Sequence, residues 1–118
     1  MLILSVVANS VVAVISGVSC LIGLVRPRLA LADGEDLTSA AMFFLGVYAA
    51  RALPLSVVTV AVLVAGNEAA ALPVLVVAGL AQIGDAMVGG RRRNTPMAIT
   101  CAGLAAVHLG TAAWLFAR

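Results

Sequence analysis

Charge is what this chain of 118 residues has least of. Only 10% of it is Asp, Glu, Lys or Arg, against about 25% in a soluble globular domain. Lysine is missing altogether, so all seven basic residues are arginine. Aromatic residues make up 4%, and no basic stripe carries them, which removes the usual nucleic-acid-binding surface. The two cysteines, Cys20 and Cys101, lie inside apolar runs with no C-x-x-C motif and no zinc-ligand spacing. They read as buried free thiols, and neither a metal nor a cofactor is expected.

What is present is apolar. Hydrophobic residues are 64% of the chain and the mean hydropathy is +1.18, which points to an integral membrane protein whose outer surface is taken up by lipid. A bilayer core of about 30 Å needs roughly 20 apolar residues in a helix. Four runs qualify: 2–25, 39–65, 69–88 and 96–117. Strands are excluded because the runs are too long, do not alternate and are rich in Ala, Leu and Gly. Within lipid only helices or a closed barrel satisfy the backbone. The expected fold is therefore all-α, a single domain over 1–118 built as an antiparallel bundle of four transmembrane helices. Thr95 is expected to cap the fourth helix, with Pro96 at its first position, and Gly89-Gly90 to end the third.

Ala30-Leu31-Ala32 before an acidic stretch imitates a signal-peptide cleavage site. No basic residue precedes the first run, however, the run is too long, and Arg26-Pro27-Arg28 intervenes, so the run is expected to stay as a span. Orientation follows from arginine bias. Arg26 and Arg28 lie in one loop and Arg91, Arg92 and Arg93 in another on the same side, which predicts both loops in the cytoplasm and both termini outside a cell membrane. The Arg91–Arg93 run reads first as a topology signal, with anionic headgroups as the alternative.

Against this apolar background Arg51 stands in the middle of the second run. At 1.5 Å per residue, Arg51 lies about 21 Å from the outer end of its helix, Gln82 about 20 Å, Asp85 about 24 Å, Ser16 about 21 Å and Tyr48 about 25 Å. Residues three or four apart share a helix face, so Tyr48 goes with Arg51 and Gln82 with Asp85. Asp85 is the only intramembrane carboxylate, and an unpaired charge at mid-bilayer costs about 3 kcal/mol or more. Arg51 and Asp85 are therefore expected to pair inside the protein, away from the hydrocarbon tails. A second polar layer holds His108 and Asn9, at about 13 and 10 Å from the outer end, with Thr111 on the His108 face. Ser5, Asn9, Ser16, Cys20 and Gly23 form a small and polar stripe of the kind that packs helices closely. Pro54 frees the carbonyl of Ala50, next to Arg51, and predicts either a plain kink or a cavity beside the arginine.

The stretches "YAARALPLSVVTVAVLVAG" and "LPVLVVAGLAQIGDAMVGG" resemble a branch of the DoxX-like superfamily, small four-helix membrane proteins filed as a domain of unknown function. The resemblance covers roughly residues 40–115 and rests most on "GLAQIGDA". Its recurring arginine and late aspartate would fall on Arg51 and Asp85, although the glycine usual near the arginine is replaced by alanine. It implies the four-helix fold and little about activity. Some members are associated with quinone or thiol oxidation, and no redox motif carries that over.

Three functions are open to such a chain. In the first, Asp85 and Arg51 are catalytic and act on a lipophilic small molecule by acid–base chemistry, as an isomerase, a cyclase or an epoxide-opening enzyme. Gln82, Tyr48, His108, Asn9 and Ser16 would then bind the substrate. In the second, the Arg–Asp pair is a structural clamp in a non-catalytic subunit or assembly factor with a lateral membrane partner or a second copy. In the third, the chain resembles small multidrug-resistance transporters in outline, with Asp85 standing in for a proton-coupled carboxylate that those proteins carry in their first helix.

Overall fold

Four caps and turns punctuate an otherwise continuous helical chain. The computed structural model describes residues 1–118. It contains α1 (Ile3–Val25), α2 (Ser39–Val64), α3 (Glu68–Arg91) and α4 (Thr95–Ala117), each long and apolar enough to cross a membrane, with a short 3-10 turn at Pro27–Ala30. Thr38 starts α2 by accepting from the Ala41 N–H at 3.1 Å, and Asn67 starts α3 by accepting from Ala70 N–H at 3.1 Å. The cap of α4 is Asn94 rather than Thr95. Its side-chain oxygen accepts from Met97 N–H at 3.3 Å, one residue earlier than expected, because asparagine is the better cap and stands next to Thr95. Pro54 and Pro73 both lie within helices that run on past them.

The third span also outruns its expected end. Gly89-Gly90 does not stop α3, which continues to Arg91. In lipid a backbone that leaves its helix loses bonds that water cannot replace, and Gly89 has a packing role. A Cβ there would come within 2.9 Å of the Ala98 backbone nitrogen, and one at Gly79 within 2.5 Å of Leu109. Gly89 lets α3 and α4 meet backbone to backbone, and Gly79 makes room for the Leu109 side chain. Arg93, in the left-handed region at φ 56°, closes the turn, with Asn94 N–H donating to Gly89 O at 2.8 Å.

Contacts fix the directions. Gly79 meets His108 and Leu109 while Gly89 meets Met97 and Ala98, so α3 and α4 are antiparallel. Gly17 faces Ser56 and Gly23 faces Leu45, which makes α1 and α2 antiparallel too. The two hairpins join more sparsely, along α2–α3 and α1–α4, in a bundle of 47 × 22 × 18 Å. Only 21 of 118 residues are buried, while Ile3, Phe43, Phe44, Val57, Val64, Ile99 and Phe116 project outward. That surface suits lipid. A greasy exterior gives the helices no hydrophobic reason to associate, so small residues and interhelical hydrogen bonds must hold them. One apolar knot, Leu63, Ala71, Leu75 and Ala112, closes the end near the termini. A second, Cys20, Ala49 and Ala52 with Tyr48 against it, closes α1 on α2 toward the arginine loops. Arg51 stands at the depth of this second knot, between Ala49 and Ala52 along α2.

Candidate functional site

Arg51 and Asp85 do pair. Arg51 Nη2–H donates to Asp85 Oδ1 at 2.6 Å. From helix ends at Val64 and Glu68, Arg51 is about 20 Å and Asp85 about 25 Å down, a wider offset than the sequence suggested. Side-chain direction closes it. Helical side chains lean toward the N-terminus of their own helix, and in antiparallel neighbours Arg51 and Asp85 lean toward each other. The Arg51 side chain runs back one turn over Tyr48, its Cζ 5.4 Å from the ring centroid.

The setting differs from the expected enclosed interior. Arg51 is 43% exposed and Asp85 13%. The inward face of α2 is made by Ala49, Ala52, Thr59 and Leu63, and Arg51 stands about 100° round the helix from Ala52. The pair thus occupies the lateral α2–α3 seam, with the carboxylate tucked in and the guanidinium at the rim.

One turn from Asp85, Gln82 is buried at 7% exposure and donates through Nε2 to Ser16 Oγ at 2.7 Å, tying α3 to α1 across the bundle. Its Oε1 is buried without a partner. The second layer is a separate rung. Asn9 Nδ2 donates to Ser5 O and to Thr111 Oγ1, both at 2.8 Å. A carbonyl can only accept, so the Asn9 amide is oriented and its Oδ1 must be the acceptor at 2.8 Å from His108 Nδ1. His108 therefore carries a proton on Nδ1 and donates it to Asn9. Asn9 and His108 are 0% and 2% exposed. No hydrogen bond joins this rung to Gln82–Ser16, or either of them to the ion pair. The structure therefore splits the first expected layer into two separate pairings, Arg51–Asp85 and Gln82–Ser16, and joins the residues of the second, Asn9, His108 and Thr111, in a rung of its own.

Two ties outside the membrane-spanning region were not anticipated. Glu35 Oε1 accepts from Arg92 Nε at 3.0 Å and Nη2 at 2.7 Å, joining the α1–α2 connection to the α3–α4 turn. Its Oε2 accepts from Ala32 N–H at 3.0 Å. That backbone bond, and then Arg92, hold the Glu35 carboxyl below its ordinary value. At the opposite end Glu68 bonds the Met1 ammonium and Arg118. The signal for the first tie was available: an acidic loop and an arginine run share one side.

A groove of about 480 Å³ opens between α3 and α4, lined by Ile83, Met87, Ala102, Ala106 and Leu109 among others. It is wholly apolar and does not include Arg51 or Asp85. No protein-family model, no curated protein and no solved structure matches the chain.

Proposed function

We propose that this multi-pass membrane protein binds a lipophilic small molecule at the α2–α3 seam and converts it by acid–base chemistry. The observation that carries this reading is the half-exposed guanidinium of an otherwise paired Arg51. A guanidinium has five N–H donors, and Arg51 uses one, on Asp85. A cation with spare donors facing sideways, about 20 Å from the outer helix end, calls for an oxygen acceptor that arrives through the bilayer. Asp85 Oδ2 has no partner and lies beside that acceptor. In the proposed reaction Asp85 takes a proton from a C–H or O–H next to the substrate oxygen, Arg51 stabilises the oxyanion that forms, and the proton returns at another position. Isomerisation and cyclisation balance in this way without a redox partner. Epoxide opening is the variant in which Asp85 arrives protonated and gives its proton to the ring oxygen as the C–O bond breaks. The electron-deficient carbon is taken by another hydroxyl of the substrate, and the proton that this hydroxyl releases returns to Asp85.

Tyr48 and Gln82 flank the pair and are assigned to orienting the substrate. Ser16, Asn9 and His108 bond to neighbouring helices, and their proposed role is to hold α1 and α4 in place around the site. The resemblance of Arg51 and Asp85 to the DoxX-like pattern supports the same location. Arginine bias supports cytoplasmic placement of both arginine-bearing loops.

A second reading has its own support: the sparse α2–α3 contact makes Arg51–Asp85 a clamp between two hairpins in a non-catalytic membrane subunit. One experiment separates them. Protein in nanodiscs is incubated in heavy water with a panel of terpenoid ketones and epoxides, and deuterium uptake and products are read by mass spectrometry. The catalytic reading expects turnover that Asp85→Asn abolishes and that the charge-swapped Arg51→Asp/Asp85→Arg protein does not regain. If wild type and Asp85→Asn give the same exchange, the catalytic role is gone. If the swapped protein regains only stability, with no turnover in any variant, the clamp is what remains.

A further inference from the structure

We propose that Arg26 and Arg28 bind the phosphate of an anionic phospholipid whose acyl chain lies against the apolar cleft where α1 gives way to α2, which Leu29 and Leu37 also line. This goes beyond the seam site and does not depend on it. The cleft has a volume of about 460 Å³ and an almost wholly apolar lining, while Arg26 and Arg28, which contribute carbon surface to that lining, are themselves exposed beside it. That is the chemistry of a lipid at the level where its phosphate meets its acyl chains.

Local backbone geometry presents the two arginines. Arg26 ends α1 with its N–H donating to Ile22 O at 2.7 Å, and Pro27 starts a 3-10 turn in which Leu29 N–H donates to Arg26 O at 2.9 Å. Both side chains are thus carried on a short, bonded turn immediately beyond an apolar helix. The charges are also left free. Of the seven arginines, Arg51, Arg92 and Arg118 form ion pairs, while Arg26, Arg28, Arg91 and Arg93 form none. Glu35, the one acid of the α1–α2 connection that forms an ion pair, is taken up by Arg92 and the Ala32 N–H. Asp33 and Asp36 pair with neither Arg26 nor Arg28. Guanidinium groups match phosphate oxygens in a forked geometry. Arg91 and Arg93 lie at the same end of the bundle and add to its field, but they do not line the cleft.

The test compares two double variants that remove equal charge. Full-length protein in detergent is titrated with dioleoylphosphatidylglycerol or dioleoylphosphatidylcholine, and bound lipid is counted by native mass spectrometry. At roughly 1 kcal/mol per arginine near an anionic surface, Arg26→Gln/Arg28→Gln is expected to weaken phosphatidylglycerol binding about thirtyfold. Arg91→Gln/Arg93→Gln is expected to change it less than about threefold, since those two arginines act only through the general field. Arg26→Lys/Arg28→Lys keeps the charge but loses the fork and is expected to recover only part of the affinity, and circular dichroism on each variant checks the fold. Equal losses in the two Gln doubles would overturn the site in favour of a diffuse positive end. Equal retention of the two lipids by wild type would overturn anionic recognition. Displacement of the lipid by a few millimolar inorganic phosphate would overturn the lipid as the occupant and leave soluble phosphate.

Discussion

Arg51 shows how one costly residue constrains its surroundings. A guanidinium in the apolar middle of a helix costs about 3 kcal/mol or more unless it is paired or reaches water. Here it leans one turn toward the arginine-rich end, over Tyr48, and meets the sole intramembrane carboxylate. Removing either partner leaves a charge in the membrane, whereas removing both leaves ordinary apolar packing. Arg51→Met and Asp85→Leu are therefore each expected to lower stability by about 2–3 kcal/mol. The double variant should recover more than half of that loss, read from unfolding in mixed micelles. Losses that simply add would show that the two residues are not coupled. The sequence made this pair legible because a lone cation and a lone anion had near-equal depths. Depth says nothing of the angle around α2, so the lateral, half-open setting was not legible.

At the scale of helices, close approach replaces hydrophobic burial as the cohesive force. Gly89 and Gly79 are both closely faced by α4, but what faces them differs. A methyl at Gly89 meets the Ala98 backbone at 2.9 Å, which cannot swing aside, whereas one at Gly79 meets Cγ and Cδ2 of Leu109 at 2.5 and 2.6 Å, which yield if that side chain changes rotamer. Gly89→Ala is expected to destabilise the α3–α4 hairpin by about 1–3 kcal/mol. Gly79→Ala should cost clearly less, because alanine's better helix propensity offsets part of the repacking. Equal effects in thermal unfolding would contradict the contact geometry. The helices themselves were readable from run length to within a few residues, since lipid demands about 20 apolar residues whatever the fold. The expected stop at Gly89-Gly90 does not hold because Gly89, the ordinary signal of a helix end, serves here as a contact surface for α4. The Glu35–Arg92 tie between the connections has a pH signature. The Glu35 carboxyl is held low, chiefly by the Ala32 N–H, so its contribution is complete above the ordinary glutamate value and fades as pH falls through the lowered one. Protease resistance of the α1–α2 connection should exceed that of Glu35→Gln at pH 7, and the two should converge in strong acid. A gap independent of pH would remove the carboxylate from the tie.

For the whole molecule the polar and charged residues divide into two sets, one inside the spans that ties the helices together and one outside them that is unevenly shared between the two ends. Polar rungs at successive depths join α1 to α4, α1 to α3 and α2 to α3, so α1, α3 and α4 are each fixed to a non-neighbour in sequence, while α2 is tied to its neighbour α3 alone. Outside the spans the asymmetry is plain. One end carries Arg26, Arg28, Arg91, Arg92 and Arg93, and the other carries Glu68 with Arg118 and the Met1 ammonium bonded to it. Arginines next to a span resist translocation, while Asp and Glu count for little in that choice. The acids at 33, 35 and 36 should therefore not cancel the arginines beside them. A phosphatase reporter active only outside the cytoplasm is expected to be active when joined after Arg118 or inserted at Gly66, and silent when inserted after Asn94. Replacing Arg91, Arg92 and Arg93 by Gln should produce a mixed population, because Arg26 and Arg28 then carry the bias alone. The reverse pattern in the parent chain would mean that the arginine loops face outward, and the seam would have to be approached from the opposite leaflet.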